Sequence, residues 1–227
     1  MNLSVVLPIY NEEENIKPLI SRIEKACTNH NLEIVCVDDG SKDKSYKVLS
    51  DLKNKKVKIY RHVKNMGLGA AIKTGFSHAS GDVIITMDAD LTQKPEEIPL
   101  FLKKINEGYN LVIGSRYIYQ GAMIGVPLKR RIISNFSNFF LRVLIGAKVN
   151  EITSGYRAIT SDVIKKLNLK SDGFEIQTEM VAKASKYKVC EVPIKLGTRK
   201  FGESKLRLAR TTLKTFVVVI KSRLNLI

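Results

Sequence analysis

Asp88-Ala89-Asp90 follows directly on the apolar, β-branched run Val83-Ile84-Ile85-Thr86-Met87. A run of that kind reads as a buried strand. In extended chain the side chains at i and i+2 point to one side, which would bring both carboxylates to one spot. Carboxylates that close repel and raise each other's pKa unless a cation sits between them. Hard oxygen donors suit Mg²⁺ or Mn²⁺, and Mg²⁺ is commonly held by one or two carboxylates together with substrate phosphates. Two more polar clusters follow apolar runs in the same way, Pro8-Ile9-Tyr10-Asn11-Glu12 and Asp38-Asp39-Gly40-Ser41. Each has an ordinary explanation taken alone. Asn11 and Glu14 sit three apart, as in a capping box, and Asp-Asp-Gly-Ser suits a tight turn that caps a helix.

The elements that would carry these clusters alternate. Residues 3–9, 32–37, 56–60, 83–87 and 111–113 read as strands. Helical spacing covers 12–29, where Ile16, Leu19, Ile20 and Ile23 share a face, and then 43–52, 65–80 and 95–107. Alternation of this kind means an α/β fold with a parallel, doubly wound sheet and right-handed crossovers. Ligands in such sheets bind beyond the carboxyl ends of the strands, where all three clusters stand. Shared placement on one rim favours a site over three unrelated turns. Gly67 and Gly69 open the third helix as in a phosphate loop, but the full Gly-x-Gly-x-x-Gly is absent, so that signal is weak alone.

After Tyr119 the alternation stops. Residues 127–145 read as a basic helix with a broad apolar side, 153–157 as a polar turn, and 174–186 as a helix containing Glu179. Residues 189–194 form a short edge segment, where Pro193 is tolerated. Residues 198–205 read as a mobile basic loop, and 206–227 as a helix with Arg207, Arg210, Lys214 and Lys221 on one side.

Composition narrows the partners. In 227 residues, 38 Lys and Arg against 22 Asp and Glu give a net charge of +16. Such a balance points to a polyanionic partner: nucleic acid, an anionic membrane surface or phosphate-bearing substrates. No nucleic-acid module is recognisable, and the acidic Asp88/Asp90 rim would repel a nucleic-acid backbone. The expectation is therefore no nucleic acid. Three scattered cysteines offer neither a disulfide framework nor a zinc site, which suits a reducing cytosol. No run of 18 apolar residues suggests a transmembrane helix, and the N-terminus reads as a strand rather than a signal peptide.

In chain order, the first three clusters are followed by Gly114-Ser115-Arg116-Tyr117, Thr153-Ser154-Gly155-Tyr156-Arg157 and Gly202-Glu203-Ser204-Lys205-Leu206. This ordered set resembles the inverting family 2 glycosyltransferases with a GT-A fold, nearest to the dolichol-phosphate mannose synthases and other polyprenyl-phosphate glycosyltransferases. The resemblance implies a mostly parallel, Rossmann-like sheet flanked by helices, with C-terminal amphipathic helices. It implies a GT-A domain over 1–205, with a nucleotide-sugar half at 1–119 and an acceptor half with the mobile loop at 120–205, then the basic helix 206–227.

By the same resemblance, Pro8, Tyr10, Asn11, Glu12, Val37, Asp39 and Ala89 line the site of a nucleotide-sugar donor. Asp88 contacts its ribose or sugar, and Asp90 binds the Mg²⁺ or Mn²⁺ that bridges the diphosphate, with Asp88 and Thr92 as further candidate ligands. Arg116, Arg130 and Ser134 hold the acceptor phosphate, while Arg199, Ser204 and Lys205 belong to a loop that closes over the donor. Asp88, Asp90 and Arg116 are the expected catalytic residues. Two positions depart from the family pattern: Thr92 stands where the family often has Gln, with Gln93 one residue later, and Glu151 stands where Asp is usual.

The implied reaction moves a hexose, mannose from GDP-mannose or glucose from UDP-glucose, onto a polyprenyl or dolichyl phosphate with inversion. A phosphate monoester has a second pKa of about 6, so it arrives ionised and needs no general base. That agrees with His30, His62 and His78 lying off the motifs. A soluble hydroxyl acceptor would instead need a carboxylate base, for which Glu179 is the candidate. The basic amphipathic helices suit an anionic membrane surface, placing the enzyme peripherally on the cytoplasmic face.

Overall fold

The computed structural model describes residues 1–125 and 128–198. The first half alternates as expected: β1 (Asn2–Ile9), α1 (Ile16–Ala26), β2 (Asn31–Asp38), α2 (Ser45–Ser50), β3 (Val57–Arg61), α3 (Leu68–His78), β4 (Val83–Thr86), α4 (Ile98–Asn106) after a 3₁₀ turn, and β5 (Leu111–Ser115). The second half adds β6 (Ala122–Met123), α5 (Leu128–Ile145), β7 (Arg157–Thr160), α6 (Ser161–Leu167), α7 (Ile176–Ala184), β8 (Val189–Pro193) and β9 (Lys195–Leu196). Seven strands form one sheet in the order β3-β2-β1-β4-β7-β5-β8, so both halves contribute to it. β7 runs antiparallel to β4 and β5; the other pairings in this sheet are parallel. The architecture is the mostly parallel sheet flanked by helices that the sequence implied.

Alternation along β1 explains the two layers. Leu3, Val5, Leu7 and Ile9 face a core shared with Ile16, Leu19 and Ile23 of α1 and Phe101 of α4, while Val6 faces one shared with Ala71 of α3 and Met180 of α7. These residues are buried almost completely, and each large aliphatic side chain so removed from water contributes about 1.5–3 kcal/mol. On the second side α3 lies so near the sheet that a Cβ on Gly75 would stand 2.2 Å from Val6 Cγ1. The glycine sets the approach of helix to sheet.

Three expectations are corrected. The polar turn 153–157 ends in a strand, because Arg157 is the first residue of β7. Its guanidinium is fully buried and donates to the carbonyls of Ile152, Ser154 and Gln177, and burial drives its pKa down to about 9. The first helix starts at Ile16 and not at Glu12. Asn11 sits at φ 55°, outside helical backbone, and makes bonds to the loop after β2. The carboxylate pair is presented differently too: β4 ends at Thr86, and Ala89-Asp90 form a turn followed by Leu91 at φ 61°. That turn, and not strand alternation, presents Asp88 and Asp90.

Candidate active site

The loops after β1 and β2 are tied to each other before any ligand is considered. Asp39 N donates to Ile9 O at 2.8 Å. Asn11 N donates to Ser41 Oγ at 3.0 Å, and Asn11 Oδ1 accepts from Lys42 N at 2.8 Å. Glu12 N donates to Ser45 Oγ at 2.8 Å, while its carboxylate accepts from Asn15 Nδ2 at 2.7 Å. Pro8 and Tyr10 are partly exposed beside them. Val37 is not: it is fully buried against Val6 and Val35, so its side chain does not line the rim as the resemblance implied.

Asp39 is held from three directions. Its Oδ1 meets His62 Nδ1 at 2.7 Å and accepts from Met66 N at 2.8 Å, and its Oδ2 accepts from Gly67 N at 2.9 Å. His62 Nε2 lies 2.9 Å from Thr74 Oγ1. The carboxylate thus shapes the β3–α3 loop that walls this end of the rim. His62 is at the site after all. The available signal was topological: the end of β3 must neighbour the end of β2 when the two strands run parallel.

The two-glycine turn before α3 holds something other than a phosphate. Gly69 N and Ala70 N donate to Asp172 O at 2.7 and 3.1 Å. A Cβ on Gly67, at φ +103°, would stand 2.4 Å from that oxygen. The turn seats the loop that precedes α7. Glu179 fixes the same loop: its carboxylate accepts from Lys170 N and Ser171 N and pairs with Lys183 Nζ at 2.7 Å. Burial pushes its pKa up, but Lys183 and the Ser171 and Lys170 donors outweigh that and leave it below the usual carboxylate range. A buried, depressed, fully engaged carboxylate is unsuited to act as a base near pH 7. The role considered for Glu179 is corrected to a structural one.

At the end of β4, Gln93 grips Asp88 twice. Asp88 N donates to Gln93 Oε1 at 2.9 Å, and Gln93 Nε2 donates to Asp88 Oδ2 at 2.7 Å. Thr92 serves Asp90, whose Oδ1 accepts both Thr92 N at 3.0 Å and Thr92 Oγ1 at 2.7 Å. The amide one position off the family pattern therefore acts on the first aspartate, a role that spacing alone did not reveal. Asp88 packs against Gly155, where a Cβ would stand 2.9 Å from Asp88 Oδ1, and Thr86 Oγ1 donates to Gly155 O at 2.7 Å. The donor set is two aspartates and no thiol or imidazole, a chemistry that suits a hard cation over a soft one. Among the described residues no group of three or more His, Cys, Asp or Glu could hold a metal ion, so the pair would need oxygens from a substrate and water to complete a shell.

Arg116 follows directly on β5, and the charge of Asp88 adds a small part to what holds its pKa up. Its Nε and Nη2 donate to the two oxygens of Glu151 at 2.8 and 2.9 Å, and Nη2 also reaches Thr153 Oγ1 at 3.1 Å. Burial pulls the guanidinium pKa down, but the charge and hydrogen bonds of Glu151 win, and it lies above its ordinary value. Next to it Tyr117 Oη and Ser134 Oγ are 2.8 Å apart, which brings α5 to the same place. Sequence reasoning assigned Glu151 no role. The structure makes it the partner of Arg116. Arg130 belongs to α5, with its side chain outside the described residues, as are Arg199, Ser204, Lys205 and the helix expected over 206–227.

A family model described as "Glycosyl transferase family 2" matches residues 4–167. The chain is 40% identical over 211 residues to a dolichol-phosphate mannosyltransferase of Pyrococcus furiosus, covering 91% of this chain and 60% of that protein. It is 34% identical over 213 residues to a polyprenol monophosphomannose synthase of Mycolicibacterium smegmatis, covering 89% and 80%. It thus spans 60% of the length of the first relative and 80% of the second. Among solved structures, glucosyl-3-phosphoglycerate synthase from Mycobacterium tuberculosis in complex with Mn²⁺, uridine diphosphate and phosphoglyceric acid has a TM-score of 0.74 at 19% identity, covering 97% of this chain and 78% of that one. That likeness confirms the GT-A fold. The family model covers most of the chain, and its matched span carries the β1, β2 and β4 clusters, Arg116 and the Thr153–Arg157 turn. The chain belongs to glycosyl transferase family 2.

Proposed function

We propose that this chain transfers a hexose, mannose from GDP-mannose, to a polyprenyl or dolichyl phosphate with inversion at the anomeric carbon. One observation carries the reading: the rim holds a paired-aspartate turn after β4 and, after β5, an arginine whose guanidinium is clamped by Glu151, next in sequence to the Tyr117 that bonds Ser134. Carboxylates suit a cation and the diphosphate it binds, and a guanidinium fork suits a second phosphate. The names of the relatives from Pyrococcus furiosus and Mycolicibacterium smegmatis support the same acceptor class.

In this reading residues 1–119 form the nucleotide-sugar half and 120–205 the acceptor half with the mobile loop; Arg116, at the end of the first half, reaches across to the acceptor. Pro8, Tyr10, Asn11, Glu12 and Ala89 line the nucleoside end, and Asp39 shapes it through the loop it holds. Asp90, with Asp88 and the Thr92 side chain that orients it, would hold Mg²⁺ or Mn²⁺, which when bound stabilises the charge developing on the departing diphosphate. Arg199, Ser204 and Lys205 are proposed, on sequence, to close over the donor. Arg116, Arg130 and Ser134 orient the acceptor phosphate, which attacks as its own anion. A bond forms from a phosphate oxygen to the anomeric carbon as the bond to the nucleoside diphosphate breaks. No residue has to remove a proton, and the rate enhancement comes from positioning and electrostatics.

A lipid acceptor needs a way to the membrane. On α5, Leu128, Ile132, Phe136, Phe139 and Val143 are all exposed, from 57 to 71%, at the three- and four-residue spacing of one helical stripe. Arg131 stands exposed between them. Among the described residues no helix is long and apolar enough to cross a membrane. We propose that this stripe lies in the interface of an anionic membrane, on its cytoplasmic face.

The test is a product assay with purified protein, Mn²⁺ or Mg²⁺, a short polyprenyl phosphate, and GDP-mannose, UDP-glucose or UDP-GlcNAc in separate tubes. The expected result is a metal-dependent lipid-linked mannose, lost in Asp90→Ala. Product from a different donor would overturn the choice of sugar. No lipid-linked product from any donor, despite donor binding, would overturn the acceptor.

A further inference from the structure

Glu151 has no place in the reaction described above, yet it is completely buried and both its oxygens are engaged. Its Oε1 accepts from Thr153 N, Thr153 Oγ1 and Ser154 N, all at 3.0 Å. Its backbone N donates to Glu191 Oε1 at 2.9 Å, and Glu191 Oε2 accepts from Asn150 N at 2.8 Å. Asn138 of α5 accepts from Ile152 N at 2.8 Å. β8 and α5 therefore pin the turn from both sides. A turn closed in this way needs only one carboxylate oxygen. The second, Oε2, is aimed outward at Arg116 Nε at 2.8 Å.

We propose that Glu151 is a positioning residue that sets Arg116 to read the acceptor phosphate; the inference rests on the lipid-phosphate reading above. A free arginine side chain samples many rotamers, and holding it costs up to about 2 kcal/mol of entropy. Here the Nε and Nη2 atoms are bound to Glu151, and Thr153 Oγ1 takes a further bond from Nη2. Nη1 takes no part in that clamp, so its pair of N–H groups is the edge a phosphate can meet in a fixed direction.

The clamp has an electrostatic consequence that makes it testable. Glu151 sets a negative charge directly against that of Arg116, which offsets part of the attraction Arg116 would offer a dianion. If Arg116 acted as a simple positive charge, removing the glutamate charge would strengthen acceptor binding. If it acts through direction, removing the clamp weakens it. The two accounts predict opposite signs.

The experiment measures kcat and KM for a short polyprenyl phosphate and for the donor separately, in wild type, Glu151→Gln, Glu151→Asp and Thr153→Val. Glutamine keeps the size of the side chain but turns an N–H donor or a weaker oxygen toward Nε. The expected result for Glu151→Gln is a fall of about 10–100-fold in kcat/KM for the acceptor, the size that small misplacements cost, with donor KM within about twofold. Glu151→Asp, which retains the carboxylate, recovers part of that loss. A lower acceptor KM in Glu151→Gln, or equal damage to donor and acceptor parameters, would overturn the inference. Should Glu151→Gln fail to fold, Thr153→Val decides it. That variant removes one bond to Nη2 and is expected to lower acceptor kcat/KM several-fold without moving donor KM; unchanged acceptor parameters would overturn the proposal. Absence of lipid-linked product in wild type would instead remove the underlying reading, so the two failures are distinguishable.

Discussion

At the scale of single residues, much of this site consists of carboxylates and amides that organise one another. Asp39 illustrates the consequence. Its carboxylate accepts two backbone N–H groups and faces His62, so Asp39→Asn leaves a donor pointing at donors. A loss of about 1–3 kcal/mol of stability is expected, measurable by urea unfolding, together with a higher donor KM. Glu33, away from the rim, gives a pH prediction. Burial pushes its pKa up, but Lys58, Ser4 and Ser80 outweigh this and hold it at about 2 against an ordinary 4.5. A depressed carboxylate contributes stability that is present above 4.5 and disappears as pH falls toward 2. Unfolding free energy followed between pH 5 and 2 should therefore decline less steeply in Glu33→Gln than in wild type; identical slopes would contradict the assignment. Gln93 belongs at this scale as well. Gln93→Ala removes both amide bonds to Asp88 and should lower kcat/KM by about tenfold, a share of what misplacing a reacting group costs; because Gln93 is buried, a loss of about 1–3 kcal/mol of stability is expected as well.

At the scale of elements, the parts legible in the sequence are those set by periodic burial. The five strands of the first half announce themselves as apolar runs, and their alternation with helices fixes a parallel sheet whose carboxyl ends form the rim. β7 was not legible. It is four residues long and begins with Arg157, a charge whose burial is made tolerable only by three backbone carbonyls that no local pattern reveals. The start of α1 was misplaced for a related reason: Asn11 and Glu12 look like capping residues, but their partners are Ser41, Lys42 and Ser45, some thirty residues away in sequence. The helix–sheet approach at Gly75 yields a test. A methyl there would collide with Val6, so Gly75→Ala should cost about 1–3 kcal/mol by overpacking. Val6→Ala in the same chain should recover part of that loss, a non-additivity expected of residues in contact. Additive losses would show that α3 can shift away from the sheet.

At the scale of the whole molecule, the net charge of +16 coexists with a rim of aspartates, a division that suits the proposed reaction, with its anionic substrates and a cation at the leaving group. The apolar stripe on α5 is the other large-scale feature. Replacing Ile132, Phe136 and Phe139 together by Ser should abolish co-sedimentation with anionic vesicles while leaving the fold intact by circular dichroism. Full vesicle binding by that variant would remove α5 as the docking surface. The candidate site was legible as an ordered set of motifs, but the clamp of Glu151 on Arg116 was not, because it joins residues 35 positions apart whose types are common on any surface. The central claim is that the acceptor brings its own charge and no residue acts as a base. It is tested most directly by offering the same donor with a polyprenyl phosphate and with the matching free polyprenol, side by side. The account predicts sugar transfer to the phosphate and none to the alcohol at any pH between about 6 and 9. Transfer to the alcohol would require a general base and would contradict the account.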